Sequence, residues 1–140
     1  MTSVFTQIIT GALPGRFVWQ DDQVVAFLTI APLRAGHTLV VPRQEIDKWT
    51  DLPPELLGRV MTVAQAVGRA VEQAFGAPRA ALAIAGLEVP HAHVHVSPMW
   101  DMSDLDFNRI AVENDQAALD DAAERLRTAL RDHGHASYVP

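Results

Sequence analysis

The sequence predicts an α+β fold in which a five-stranded antiparallel sheet carries one long helix, a short amino-terminal helix and a further carboxy-terminal helix. Two observations lead to this prediction. Five short apolar stretches are separated mostly by brief turns, which is typical of antiparallel neighbours. One segment, from Leu56 to Phe75, instead repeats its apolar residues at helical spacing.

The first part of the chain predicts one helix and three strands. Four apolar residues share one helical face after Ser3: Val4, Phe5, Ile8 and Ile9. Gly11 is placed to end that helix. Strands are expected at 16–20, 24–30 and 37–42. Asp21 and Asp22 form a tight turn between the first two strands, and Pro42 ends the third.

The long helix follows a start signal in which proline and acidic residues occupy the first turn: Asp51, Pro53, Pro54 and Glu55. Gly76 and Pro78 end it. Two strands are then expected at 80–85 and 91–96, and a second helix at about 116–131. A chain of 140 residues fits one domain, 1–140, with a core at about 4–98 and a helical extension at about 115–133.

Composition narrows the classes of partner. Eleven basic and seventeen acidic residues give a net charge of -6, so nucleic acids and anionic membranes are not expected to bind. A small phosphorylated ligand remains possible, because local histidines and backbone N–H groups can hold a phosphate on an acidic protein. There is no cysteine, no recognisable signal peptide and no run of about 20 apolar residues, so a cytoplasmic location is expected.

Three histidines alternate in the run HAHVHV, at His91, His93 and His95. Residues two apart in a strand point to the same face, so the three imidazoles are expected to converge. A lone histidine on a strand is usually structural, but three would leave six ring nitrogens to satisfy. The row could bind a metal through three imidazoles, or could attack phosphorus with one of them. With a pKa of about 6.5, histidines could supply a neutral nucleophile and a protonated donor together.

The run HAHVHV, followed by Ser97 and Pro98, resembles the signature of the histidine triad (HIT) family of nucleotide hydrolases and transferases. The upstream segment FTQIITGALPGRFVWQDDQVVAFLTIAPLRAGHTLVVPR is similar to the amino-terminal half of that family. The resemblance covers roughly residues 4–98. It is specific because GHTLVVP and HAHVHV occur together in the expected order.

The resemblance implies a role for each of four histidines. His93 would be the nucleophile that forms a nucleotidyl-histidine intermediate, which water then resolves. His95 would contact the phosphate and assist the leaving group, and its identity sets this chain apart from the uridylyltransferase branch, which has glutamine there. His91 and His37 would orient and polarise the row.

The resemblance also implies five nucleotide-binding residues: Phe27, Thr29, Ile30, Glu88 and Ser97. Phe27 and Ile30 match an apolar base pocket, although core packing explains them nearly as well. Glu88 matches a position near the leaving group, or is a solvated loop carboxylate. Backbone N–H groups near Ser97 could receive phosphate oxygens.

The chain departs from the family pattern at several positions. Thr29 stands where relatives usually have an aspartate that meets the ribose, and Ala80 stands where an asparagine or glutamine is often found. Ser3 and Thr6 occupy the positions of two zinc-binding cysteines, and Glu45 that of a zinc-binding histidine. No structural zinc and no cofactor are therefore expected.

These features together predict a hydrolase acting at the α-phosphate of purine nucleoside phosphoramidates or similar nucleotidyl conjugates. Three alternatives remain: a dinucleoside polyphosphate hydrolase, a nucleotide-binding module with little turnover, and a metal-dependent hydrolase with His91, His93 and His95 as ligands. The resemblance also implies a homodimer.

Overall fold

Five antiparallel strands form one sheet in the computed structural model, which describes residues 2–140. Their bounds are β1 Phe17–Gln20, β2 Val24–Leu28, β3 Thr38–Pro42, β4 Arg79–Ala83 and β5 Val94–Met99. The strands lie in the order β1-β2-β3-β5-β4, and every neighbouring pair is antiparallel. The predicted fold class is confirmed.

Three α-helices accompany the sheet: α1 Val4–Ile9, α2 Pro54–Phe75 and α3 Gln116–Asp132. Ser3 and Asp115 cap the amino termini of α1 and α3 by accepting backbone N–H bonds with their side chains. Gly76 ends α2 in the left-handed conformation with φ of 65°, which a glycine adopts without strain. No helix within residues 2–140 has both the length and the apolarity needed to cross a membrane.

The sheet is covered on both faces, which explains why every residue of β2 and β3 is buried. On one face α2 and α3 pack a large apolar core against the strands, through residues that include Val63, Val67 and Leu126. On the other face the short helix α1 contributes Phe5 to a smaller cluster with residues of β2 and β3. The histidines belong to this second face, so α1 lies close to them.

The observed strand bounds correct the prediction for the histidine run. β5 begins at Val94, so only His95 lies in the strand, and His91 and His93 precede it. The ladder between β3 and β5 stops at the pair Val40 and Val94. Two residues further along β3, where the next hydrogen bond to β5 would form, stands Pro42, which has no N–H to donate. The backbone of residues 91–93 is therefore not paired with β3, and the Ala92 N–H donates instead to the Ile46 carbonyl oxygen at 2.7 Å.

The side chains of the histidine run still alternate between two faces, although the strand covers only part of the run. Ala92, Val94 and Val96 are buried in the core beneath α2. The second predicted strand also ends early, at Leu28 rather than at residue 30, and Ile30 is 59% exposed.

Candidate active site

Four histidines gather at one side of the sheet. His37 immediately precedes β3. It lies near His95 of β5, because the antiparallel register pairs Leu39 with His95. The ring centroids of His37 and His95 are 5.1 Å apart, and those of His93 and His95 are 5.0 Å apart. Gly36, which precedes His37, has a φ of 98° that glycine adopts without strain, and the adjacent Phe75 ring leaves no room for a side chain there.

Hydrogen bonds determine which nitrogen of His95 carries a proton. The backbone N–H of Leu33 donates to His37 Nδ1 at 2.9 Å, so that nitrogen has a lone pair. His37 Nε2 therefore carries the proton of the neutral ring and donates to His95 Nδ1 at 2.9 Å. Since His95 Nδ1 accepts, neutral His95 presents an N–H group at Nε2. The relay from Leu33 thus makes His95 a hydrogen-bond donor.

The same reasoning gives His93 the opposite character. His93 Nδ1 lies 2.8 Å from the backbone carbonyl oxygen of His91, which can only accept, so Nδ1 carries the proton. Neutral His93 therefore has its lone pair on Nε2. The phenyl ring of Phe5 packs edge-on against His93, with centroids 4.8 Å apart, and fixes the plane of the imidazole. A lone pair on His93 Nε2 thus lies beside an N–H donor on His95.

Burial keeps these rings neutral. It lowers the pKa of His37 to about 3 and that of His95 to about 4, with neighbouring imidazoles adding to the effect. Burial also lowers the pKa of His93, which is 7% exposed, below the ordinary histidine value. The lowered pKa values of His93 and His95 therefore do not favour the protonated donor that was expected at neutral pH. His95 donates as a neutral imidazole.

His91 is fully buried and both of its ring nitrogens have partners. Nε2 donates to the Pro42 carbonyl oxygen at 2.7 Å, and Nδ1 lies 2.7 Å from Ser3 Oγ. Glu45 Oε1 accepts from the Ser3 backbone N–H at 2.6 Å and from Thr6 Oγ1 at 2.7 Å. This His91 cluster, made of Ser3, Thr6, Glu45 and His91, ties α1 to the loop that orients His93.

A cavity of about 650 Å³ lies beside α1 and is lined by residues that neighbour the histidines. Its apolar lining includes Phe5, which contacts His93, and Leu39, which is the ladder partner of His95. We call it the α1 cavity. Three of the expected nucleotide-binding residues line it, namely Phe27, Thr29 and Ile30. Its size and mostly apolar walls suit a flat heteroaromatic ring.

The segment that joins β5 to α3, residues 100–115, covers the other side of the histidines. The Phe107 ring packs edge-on against His95, with centroids 5.0 Å apart, and lies 6.3 Å from His37. An ion pair between Arg34 and Asp104 at 2.7 Å holds the segment in place, and Arg34 also lies over the Trp100 ring. No sequence pattern predicted this role for Phe107, because the contact joins a short 3₁₀ helix to His95 of β5 and depends on how these segments pack.

Comparison with known proteins identifies the family of this chain. The HIT domain family model matches residues 10–102, which include His37, the histidine run and part of the lining of the α1 cavity. The chain belongs to the HIT domain family. The part of the chain outside the matched residues includes all of α3.

Individual HIT proteins show how far the similarity extends. A HIT-like protein of Borreliella burgdorferi is 33% identical over 113 residues, which are 76% of this chain and 81% of that protein. An adenylylsulfatase of Arabidopsis thaliana is 26% identical over 135 residues, covering 93% of this chain and 68% of that protein. A zinc-bound histidine triad family protein from Mycobacterium smegmatis superposes with a TM-score of 0.83 at 30% identity, covering 97% of this chain and 98% of the other.

The zinc of that HIT structure raises the question of whether the His91 cluster could hold a metal. Its four side chains offer two hydroxyls, one carboxylate and one imidazole, a set without the thiolates and multiple imidazoles that zinc prefers. The hydroxyls lie at hydrogen-bond distances from His91 and Glu45. Within residues 2–140, no three His, Cys, Asp or Glu side chains are arranged to hold a metal ion. The cluster fits a hydrogen-bonded network and not a zinc site.

Two expected nucleotide-binding residues do not line the α1 cavity. Glu88 is exposed in the loop before His91, where its charge acts on His93 and opposes the lowering of the His93 pKa. Ser97 is buried in β5, and its hydroxyl has no hydrogen-bond partner within residues 2–140. The expected contact of backbone N–H groups near Ser97 with phosphate oxygens stays a prediction.

Proposed function

We propose that this HIT protein is a nucleotide hydrolase that cleaves purine nucleoside phosphoramidates, or similar nucleotidyl conjugates, at the α-phosphate. The observation that carries the proposal is the complementary protonation of two adjacent imidazoles, a lone pair on His93 Nε2 and an N–H on His95 Nε2. A nucleophile beside a hydrogen-bond donor is what attack on a phosphoryl centre requires.

The proposed reaction has two steps. The His93 Nε2 lone pair bonds to the α-phosphorus while the bond from phosphorus to the leaving nitrogen breaks, and the leaving amine takes that electron pair and a proton from solvent, which the water of the second step later returns. The positive charge that forms on His93 is stabilised because its Nδ1–H donates to the His91 carbonyl oxygen. His95 Nε2–H donates to the phosphoryl oxygen or to the leaving atom. Water then attacks phosphorus and releases the nucleoside monophosphate and free His93.

The α1 cavity supports a nucleoside as the retained part of the substrate. It begins at Phe5 beside His93, so a base in the cavity leaves its phosphate next to the nucleophile. Thr29 faces the cavity with a hydroxyl that accepts from the Ala31 N–H at 3.2 Å. It can hydrogen-bond a ribose but supplies no charge. The Arabidopsis relative is named for an activity on adenylyl sulfate, which is also a nucleotidyl conjugate.

The charges around a cleft between Arg34 and the segment at 100–115 favour a small leaving group over a polyphosphate. A polar cleft there of about 340 Å³ is lined by two arginines and two aspartates: Arg34, Arg109, Asp104 and Asp106. Equal numbers of opposite charges provide no excess positive potential for a highly charged anion. For this reason we place dinucleoside polyphosphate hydrolysis second.

The test is release of nucleoside monophosphate from adenosine and guanosine 5′-phosphoramidates by the wild type and by His93→Ala. We expect turnover by the wild type and loss of at least about three orders of magnitude in the variant, as when a nucleophile is removed from a covalent mechanism. His133→Ala, an exposed histidine that contacts Gln73, is the matched control. Equal rates in wild type and His93→Ala would contradict catalysis by His93, little turnover by the wild type would show a binding module, and loss of activity on chelation would show a metal-dependent enzyme.

We further propose that the protein is a homodimer that associates through the outer surface of α2 and the edge strand β4. Met61 on α2 and Leu82 on β4 are exposed apolar residues that line one shallow groove. Apolar side chains along an unpaired strand edge are typical of a surface that another chain covers.

A further inference from the structure

A polar group interrupts the otherwise apolar lining of the α1 cavity. Arg16, which precedes β1, donates through Nε to Asp120 Oδ1 at 2.8 Å and through Nη2 to Gln116 Oε1 at 2.6 Å. All three side chains line the cavity. Gln116 and Asp120 belong to α3, so a helix outside the matched HIT domain contributes to the wall of the candidate active site.

The sheet order places this group at the end of the cavity away from the phosphate position. Arg16 lies beside β1, because its carbonyl oxygen accepts from Leu28 N–H of β2 at 3.1 Å. His95 is in β5, and the order β1-β2-β3-β5 separates these strands by three spacings, roughly 14 Å. A nucleotide with its α-phosphate at His93 would therefore direct its base, and not its ribose, toward Arg16.

The free hydrogen-bonding atoms of the group are mostly donors. Arg16 uses one N–H of Nε and one of Nη2 within the group, which leaves three guanidinium N–H groups. The Gln116 oxygen accepts from Arg16, and the Gln116 NH₂ group remains available to donate. The bond from Arg16 disfavours the paired donor and acceptor contact by which a glutamine recognises adenine, because it directs the amide oxygen toward the guanidinium group. Asp120 keeps one free oxygen, which can accept a ring N–H.

Building on the proposed function, we infer that Arg16, Gln116 and Asp120 select the base of the substrate and favour 6-oxopurines over adenine. Guanine and hypoxanthine present two acceptors, O6 and N7, on one edge, and an arginine can donate to both. They also carry a ring N–H at N1 that a carboxylate can accept. Adenine presents an NH₂ group in place of O6, which would face the arginine donors.

If Arg16, Gln116 and Asp120 served only to attach α3 to the sheet, they would not need to face the cavity. Another ion pair on α3, Asp121 with Arg125 at 2.9 Å, has the usual position of a helix-surface pair and does not line the cavity. α3 is also held to β1 by Arg127, whose Nε donates to the Phe17 carbonyl oxygen at 2.8 Å. Removing the Arg16 contacts therefore leaves a second attachment in place.

The experiment is calorimetric titration of the wild-type protein with GMP and with AMP, the products expected from guanosine and adenosine substrates. We expect GMP to bind at least about tenfold more tightly than AMP, the size of effect that one good base-edge contact provides. Arg16→Met and Gln116→Met should bring the ratio of the two affinities toward one. Asp121→Asn, a change of charge on the same helix outside the cavity, should preserve the ratio.

The outcomes separate this inference from the proposed function. Equal affinity of the wild type for GMP and AMP, or a ratio unchanged in both Arg16→Met and Gln116→Met, would overturn the selection of 6-oxopurines. If adenosine and guanosine phosphoramidates are nevertheless hydrolysed through His93, the proposed function stands without the base selection. If neither GMP nor AMP binds, both conclusions fail. Because Gln116→Met keeps the ion pair of Arg16 with Asp120, its result does not depend on a loss of stability.

Discussion

His93 Nδ1 donates to the backbone carbonyl oxygen of His91 at 2.8 Å, and this bond leaves Nε2 as the only nitrogen of His93 with a lone pair. The contact is made by the backbone, so no change of side chain at position 91 removes the acceptor itself. It fixes both the tautomer and the direction of the reacting nitrogen.

We therefore predict that the nucleotidyl group of a trapped intermediate is attached to Nε2 of His93 and not to Nδ1. The measurement is rapid quenching during turnover, followed by NMR of the ¹⁵N-labelled histidine peptide, in which phosphorus–nitrogen coupling identifies the bonded atom. His133→Ala should give the same adduct at His93. Attachment at Nδ1, or at His95, would contradict the assignment.

The buried histidines predict a loss of stability in acid. In the unfolded chain His37 and His95 take up protons at about pH 6.5. In the folded chain their pKa values are about 3 and about 4. Between these values the unfolded state binds more protons, so the free energy of unfolding falls as the pH decreases below about 6.5, by up to about 2.7 kcal/mol per pH unit for two groups.

The check is urea unfolding at a series of pH values from neutral to mildly acidic. Replacement of His37 by Asn should reduce the slope of unfolding free energy against pH toward that of one histidine. The slope should be unchanged in His133→Ala, which removes a histidine outside the site. A stability that is flat from pH 7 down to about pH 5 would show that the histidines are protonated in the folded protein.

The His91 cluster predicts that residues of α1 influence catalysis from behind the site. Ser3→Ala removes the partner of His91 Nδ1 and the side-chain cap of α1 together. We expect a loss of about 1–3 kcal/mol in unfolding free energy, because a buried nitrogen loses its hydrogen bond. We also expect kcat to fall by about tenfold with a smaller change in KM, since His93 would be less well oriented.

Thr10→Ala is the matched control, because the Thr10 hydroxyl donates to the Gln7 carbonyl oxygen at the exposed end of the same helix, away from His91. It should leave kcat unchanged. A Ser3→Ala variant that loses stability but keeps the wild-type kcat would mean that the cluster is only structural.

Phe107 predicts how the segment at 100–115 acts on His95. Burial is the main cause of the low His95 pKa, and the Phe107 ring lies against that imidazole. Phe107→Ala should therefore raise the His95 pKa above about 4, because water would reach the ring. NMR titration of the histidine side chains measures this shift.

Met102→Ala serves as the comparison, since Met102 lies in the same segment and its side chain is 75% exposed. It should leave the His95 titration unchanged. If Phe107→Ala also leaves it unchanged, Phe107 does not exclude water from His95.

The groove between α2 and β4 predicts the oligomeric state. Leu82→Arg places a charge on the exposed edge strand, and we expect it to convert a dimer to monomers in light scattering at micromolar concentration, because a buried unpaired charge is costly. Leu87→Arg is the control, since Leu87 is 97% exposed in a loop away from this groove. A monomeric wild type would rule out the proposed dimer.

Local patterns in the sequence were sufficient for most of the fold. The helical spacing of 56–75 and the capped segment at 116–131 gave both long helices, and five apolar stretches gave the five strands, because such patterns depend on neighbours in the chain. The exceptions were strand ends, namely the end of β2 at Leu28 and the start of β5 at Val94. The start of β5 depends on Pro42, a residue in a different strand that is unable to extend the ladder.

The sequence by itself predicted that His91, His93 and His95 would share one face, since the alternation of HAHVHV is a local feature, and its resemblance to the HIT family implied that His37 supports them. Only the tertiary structure decided what each ring nitrogen does. The proton positions depend on the Leu33 N–H, the His91 carbonyl oxygen and Ser3, groups whose approach to a ring is set by how distant segments pack. The same packing excludes water and lowers the histidine pKa values, and it brings α3 to the wall of the cavity.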